Sequence, residues 1–236
     1  MSGQAFTRTH QTIVRDSLRL ARLQLFGGSA IEAERTLQGA LASCPDDPHL
    51  FGLLGTVYAR FKPQRAVDAR EQWERAHALG SSDRRLYVSW VMLELEAEKF
   101  DRALDAALRG VARVKDDADL LQLAGYASSR LAQRHAASLN EDKAIREFLR
   151  SDNLISKALK LKGSAATTAR STSRAYMTYL VNAESRQQNE TACRRLRQWL
   201  VWAPDDPYAK HEALKRLGQC PGLLDLIDPG LGEHQV

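Results

Sequence analysis

The chain has 236 residues, enough for one large domain or two small ones around a buried core. A hydrophobic share of 44% and an aromatic share of 7%, with only 7 prolines, exclude a Pro-rich or low-complexity disordered chain. The 34 Lys and Arg stand against 29 Asp and Glu for a net charge of +5, interleaved along the whole length; there is no isolated basic arm, and such diffuse basicity fits a mixed, soluble surface better than a dedicated polyanion binder.

Helices are read from apolar residues recurring every three or four positions, with Gly and Pro confined to the joints. Ile13, Leu18, Leu20, Leu23 and Leu25 predict a first helix over Thr12 to Phe26, stopped by Gly27-Gly28, and leave residues 1–11 as an N-terminal extension. Ser29 is placed to cap a second helix that carries Ile31, Ala33, Leu37, Ala40 and Leu41 and ends before Pro45. A second hairpin is predicted from Pro48 to Arg60 and from Arg65 to Leu79 around a joint at Lys62-Pro63, and a third from Arg84 to Glu98 and from Asp101 to Val114.

Asp116-Asp117 is placed to cap the next helix, Ala118 to Ala137, whose partner runs from Glu141 to Leu161 after Ser138-Leu139-Asn140. A fifth pair is predicted over Ala175–Ala183 and Glu190–Trp202, with a capping helix from Tyr208 to Leu217. In the tail, residues 218–236, the stretch Leu223, Leu224, Leu226 and Ile227 is expected to pack on that last helix. The words Ser43-Cys44-Pro45-Asp46-Asp47-Pro48 return as Trp202-Ala203-Pro204-Asp205-Asp206-Pro207, and the pairs recur about every 34 residues, the mark of stacked helix pairs.

The second unit carries Phe51, Leu54, Gly55 and Tyr58, then Ala69, Trp73 and Ala76. The first carries Leu20, Ala21, Ala33, Leu37, Ala40 and Pro45, and the fifth Tyr176, Ala183, Ala192, Leu196 and Pro204. These positions resemble the tetratricopeptide repeat (TPR), over most of residues 12–217. Units three and four match loosely, and the fourth is longer than the standard repeat. Ala69 to Ala76 followed by Tyr87, Trp90 and Leu93-Glu94-Leu95-Glu96 also resembles the half-a-TPR (HAT) variant found in RNA-processing assemblies. The resemblance implies an all-α, right-handed α-solenoid of about five antiparallel helix pairs plus a capping helix. It also implies that small residues such as Gly55, Ala69 and Ala76 sit where helices approach closely.

In that family the concave groove is lined by regularly spaced first-helix positions. Carried over unit by unit, they are Arg15, Leu18, Arg22, His49, Gly52, Thr56, Arg85, Val88, Met92, Arg174 and Met177. Such a groove is mildly basic and partly apolar, suited to a peptide with acidic and hydrophobic residues; the same arginines are equally consistent with a solvated surface. The Lys and Asn arrangement that grips a chaperone's terminal carboxylate is missing, since Leu18, Arg22 and Leu53 stand in those places. On the predicted helix 141–161, Lys143, Arg146, Arg150, Lys157 and Lys160 share a face opposite Ala144, Phe148, Ile155 and Leu159, and Arg194, Arg195 and Arg197 follow further on. This basic stripe is the candidate nucleic-acid contact.

No phosphate-cradling glycine loop, His-Glu-x-x-His pair or Gly-x-Ser-x-Gly elbow is present, and His10, His49, His77, His135, His211 and His234 are scattered singly. The paired aspartates are read as helix caps. Neither catalysis, metal nor cofactor is expected. Cys44, Cys193 and Cys220 are odd in number and far apart, so they are expected to be unpaired, buried and in a reducing compartment. Met1 to Arg15 lacks the apolar core of a secretory leader and no run approaches a membrane span, so a cytoplasmic chain without membrane contact is expected. The functional expectation is a scaffold or adaptor for another protein or peptide. An RNA-associated repeat module and a regulatory or sensor subunit of a multi-component system are the alternatives.

Overall fold

A computed structural model of the chain describes residues 2–162, 186–202, 204–220 and 222–227. All regular structure among these residues is helical, and the class is an all-α solenoid of antiparallel helix pairs. The chain divides into two compact units, Met1–Asp116 and Asp117–Val236.

The first unit comprises α1 (Ser2–Phe26), α2 (Ala30–Ser43), α3 (Pro48–Tyr58) with a 3-10 turn Ala59–Phe61, α4 (Ala66–Ala78), α5 (Arg84–Glu96) and α6 (Phe100–Arg113). Helix α1 packs on α2, α3 on α4 and α5 on α6, and α3 also touches α1 and α5, so the three first helices form one wall. The main difference from the sequence reading is at the start, where α1 begins at Ser2 and not at Thr12. Residues 2–11 carry few apolar side chains, so spacing alone did not reveal that they continue the helix.

The joints follow from local chemistry. Gly28 and Gly80 adopt φ of 83° and 86°, the left-handed region that ends α1 and α4. Asp47 accepts hydrogen bonds from the backbone N–H of His49 (2.9 Å) and Leu50 (3.1 Å), and Pro48 begins α3 where a missing N–H costs nothing. Asp83 caps α5 through Arg85 N–H at 3.0 Å. Ser29 occupies the position before α2, yet its side chain makes no capping bond.

Packing explains the small residues. A Cβ at Gly55 would lie 2.6 Å from the Trp73 ring and 2.9 Å from the Ala69 carbonyl oxygen, so only glycine lets α3 and α4 close. Trp73 is fully buried, donates from Nε1 to the Gly52 carbonyl at 3.2 Å, and stacks on Trp90 with centroids 6.1 Å apart. Polar ties cross between elements as well. Arg70 of α4 grips the wholly buried Glu94 of α5 with two hydrogen bonds, one at 3.1 Å. Arg65 reaches Glu34 at 2.8 Å while lying 3.7 Å over the Tyr58 ring.

The second unit contains α7 (Ala118–Ala137), α8 (Glu141–Lys162), α9 (Arg186–Trp202), α10 (Pro207–Lys215) and α11 (Leu224–Ile227). Helices α7 and α8 form a long hairpin. Its close point is Gly125, where a Cβ would meet Ile155 at 2.7 Å and where Ser151 Oγ donates to the glycine's carbonyl at 2.8 Å. Asp117 and Asp206 cap α7 and α10 as Asp47 caps α3. Ala132, Phe148, Leu196, Trp199, Leu200, Ala209, Ala213 and Leu223 make a buried cluster against which Leu226 and Ile227 pack. Buried Arg195 pairs with Asp152, yet burial still pushes the Asp152 carboxyl up to about 6, outweighing the pull of Arg195. The predicted helix Ala175–Ala183 lies outside the described residues.

The cysteine reading needs correcting. Cys44 is unpaired and buried, but Cys193 and Cys220 form a disulfide with Cα atoms 5.3 Å apart. They are 27 residues apart in sequence, and only the return of the chain along α10 brings Cys220 beside α9.

Candidate functional site

The wall made by α1, α3 and α5 bears two adjoining cavities. The larger, about 950 Å³, is lined on α1 by His10, Gln11, Val14, Arg15, Leu18 and Arg22, with His49 and Arg85 opposite. The smaller, about 300 Å³, shares Arg22, Asp83 and Arg85 and adds Gly52, Leu53, Thr56, Val88 and Ser89. The α1 residues recur at three and four positions, which puts them on one helical face. A Cβ at Gly52 would lie 3.1 Å from the end of the Leu86 side chain on α5, a tight contact but not a backbone clash.

Of the groove residues read from the sequence, Arg15, Leu18, Arg22, His49 and Arg85 meet around the larger cavity, and Arg22, Gly52, Thr56, Arg85 and Val88 around the smaller. Met92 lies one turn beyond Val88 on α5, 43% exposed and outside both cavities. Arg174 and Met177 lie outside the described residues. His10, Gln11, Val14 and the loop residues Pro45, Asp46, Ser82 and Asp83 were not anticipated. For Val14 the 3 and 4 spacing with Gln11, Leu18 and Arg22 was the available signal, whereas His10 and Gln11 were hidden by placing the helix start at Thr12.

The charges in the groove are unevenly used. Asp47 and Asp83 are spent on helix starts, and Arg85 Nε also contacts Asp83 at 3.3 Å. Arg15 contacts Asp16 at 2.9 Å with both side chains exposed, an interaction worth little. Arg22 loses some affinity for its proton, first because it is partly desolvated and then because Arg85 is nearby, with Asp83 opposing. Both guanidiniums and the Asp83 carboxylate therefore line the junction of the cavities. Apolar surface beside them comes from Leu18, Leu53, Val14 and Val88.

The basic stripe is a separate feature of the second unit. Lys143, Arg146, Arg150, Lys157 and Lys160 are all exposed on α8, opposite buried Ala144, Phe148, Ile155 and Ala158. Arg150 is partly neutralised by Glu147 at 3.0 Å. Arg194 is exposed, but Arg195 is 2% exposed and held by Asp152, so it is removed from any basic surface. Its place on the inner face of α9, between buried Ala192 and Trp199, explains the correction. Among the described residues no three His, Cys, Asp or Glu side chains converge as metal ligands would, and no helix is long and apolar enough to cross a membrane.

The fold is a TPR-like helical repeat. The fold is similar to the crystal structure of YrrB, a TPR protein with an unusual peptide-binding site, at a TM-score of 0.51 and 18% identity over 88% of this chain and 97% of that one. It is similar also to the crystal structure of MamA, with a TM-score of 0.50 and 18% identity over 75% of this chain and 95% of that one. No family model and no curated sequence matches the chain, so the likeness lies in the fold.

Proposed function

We propose that the protein is a non-enzymatic scaffold or adaptor whose first unit holds an extended segment of a partner protein in the α1/α3/α5 groove. The observation that carries this reading is the junction of the two cavities, where Arg22 and Arg85 both line the surface with Asp83, near enough for Arg85 to disfavour the charge on Arg22, beside apolar Leu18, Leu53 and Val88. A carboxylate entering there relieves like-charge repulsion and accepts charge-assisted hydrogen bonds, while a neighbouring apolar side chain fills the smaller cavity. Binding of a peptide by YrrB, a protein of the same fold, agrees with this use of the surface. The proposal covers a regulatory or sensor subunit as well, since such a subunit reads its ligand with the same groove.

The five exposed basic side chains of α8 favour a second reading, contact with nucleic acid. One experiment separates the two. The chain, the groove variants Arg22→Glu and Arg85→Glu, and a triple reversal of Arg146, Arg150 and Lys157 are compared in capture of partners from native cells and in titrations of labelled RNA and DNA. Loss of one charge-assisted contact removes about 1.5–3 kcal/mol, or roughly 10–100-fold in affinity. We expect that loss of partner affinity for the two arginine reversals and none for the triple reversal. Micromolar, steeply salt-dependent nucleic-acid binding that the triple reversal abolishes, with partner capture indifferent to the groove, favours the second reading and refutes the first.

A further inference from the structure

The C-terminal end of the second unit is built from elements too short to stand alone. Helix α10 has 9 residues and α11 has 4, well under the length at which an isolated helix holds in water. They are kept on α9 by the apolar cluster around Trp199, Leu200, Ala213 and Leu223, with the Trp199 and Tyr208 rings 5.5 Å apart. The bond between Cys193 on α9 and Cys220, between α10 and α11, closes a loop that contains α10 and ties the middle of the cap to the helix it covers. Cys193 is 7% exposed and Cys220 is not exposed at all. Their surroundings among the described residues include Ala192, Leu196 and Leu223, so both sulfurs are shielded from an attacking thiolate while the cap is seated. Cys44, also buried in the other unit, has no disulfide partner.

We infer that Cys193–Cys220 is a permanent structural lock on the α10–α11 cap, and that the protein completes its folding and works in a thiol-oxidising compartment. This departs from the cytoplasmic location expected of the sequence. A reactive or signalling disulfide needs an accessible sulfur beside a charge that favours thiolate, whereas this one lies within an apolar cluster. Its effect is on the unfolded chain, whose freedom is cut by a closed loop, and on local opening of the cap, which it prevents. The bond forms by exchange with an oxidant that is itself a disulfide, a dithiol oxidase or an oxidised small thiol. The first thiolate attacks that disulfide and expels one thiol, giving a mixed disulfide. The second thiolate then displaces the other thiol. Two protein thiols and one oxidant disulfide thus become one protein disulfide and two thiols.

The test uses the full chain. Native cells are quenched in acid, free thiols are blocked with N-ethylmaleimide under denaturing conditions, and the remainder are reduced and alkylated with iodoacetamide before mass spectrometry. The expected pattern is maleimide on Cys44 alone and iodoacetamide label on Cys193 and Cys220; maleimide on all three overturns the inference. With purified oxidised protein, glutathione leaves the bond intact in native buffer and opens it in urea. Equal rates in the two conditions show an accessible, exchangeable bond and overturn the lock. After reduction, or in Cys193→Ser, protease cleavage between residues 207 and 227 is expected to accelerate at least about tenfold. Unchanged cleavage of the reduced wild type refutes the mechanical role even where the variant fails to fold.

Discussion

Replacing Gly55 by Ala sets two effects against each other whose sum the structure decides. In the middle of a helix, Ala is favoured over Gly by about 1 kcal/mol. The added Cβ, however, lands 2.6 Å from two atoms of the Trp73 ring and 2.9 Å from the Ala69 carbonyl oxygen, closer than real Cβ atoms come. Neither neighbour yields cheaply. The carbonyl is backbone, and the indole is pinned by its hydrogen bond to Gly52 and its stack on Trp90. Overpacking of this kind costs about 2–3 kcal/mol, so the net effect is a loss of roughly 1–2 kcal/mol, or roughly 5–10 °C in the transition of a unit this size. Gly39 is the control. It lies in α2, exposed, with nothing within 4 Å of its would-be Cβ, so Gly39→Ala is expected to raise stability by about 0.5–1 kcal/mol. Thermal and urea melts followed by circular dichroism measure both. A Gly55→Ala protein as stable as the wild type, beside a stabilised Gly39→Ala, would refute the claim that α3 and α4 close on that glycine.

The buried pair between Arg70 and Glu94 yields another expectation: Arg70→Met, which strands a wholly buried carboxylate, costs about 3 kcal/mol or more, while adding Glu94→Leu recovers most of it. A double-mutant cycle in urea measures this, and additive losses would show that the pair is not coupled. The carboxyl of Asp152 supplies a pH dependence. Its folded value of about 6 lies above its ordinary 3.8, so the folded state holds the proton more tightly, and this group's stabilising share is complete below about pH 4 and is lost as pH rises through about 6. The difference in unfolding midpoint between wild type and Asp152→Asn is therefore expected to fall across that window; a flat difference would remove burial as the dominant influence on this carboxyl.

Much of the fold was legible because the repeat writes its constraints locally. Asp47-Pro48 and Asp206-Pro207 stand where a capping carboxylate and a residue without an N–H are both wanted, and both pairs start helices. Gly55, Ala69 and Ala76 stand out by their place in the repeat, and the clash that a Cβ at Gly55 would make supplies the physical reason. Gly125 plays the same part between α7 and α8, but its hairpin departs from standard repeat length, so no motif pointed to it. The start of α1 was missed for a different reason. Residues 2–11 are mostly polar, and an apolar rhythm cannot announce a helical stretch that has little apolar to bury.

The groove was legible in its positions and not in its electrostatics. Spacing put Arg15, Arg22 and Arg85 on first helices, but whether an arginine is available depends on which carboxylates are already engaged, and that is a property of the packed unit. In the structure Asp83 is divided between the start of α5 and the guanidinium, and Arg22 arrives from α1 as a second cation at the same place. Arg195 errs in the opposite direction, since in sequence it extends a run of positive charge and in the fold it is buried against Asp152. A residue's charge is written in the chain, but its partner is chosen by the packing, so a basic surface becomes a functional candidate only after the ion pairs have been subtracted.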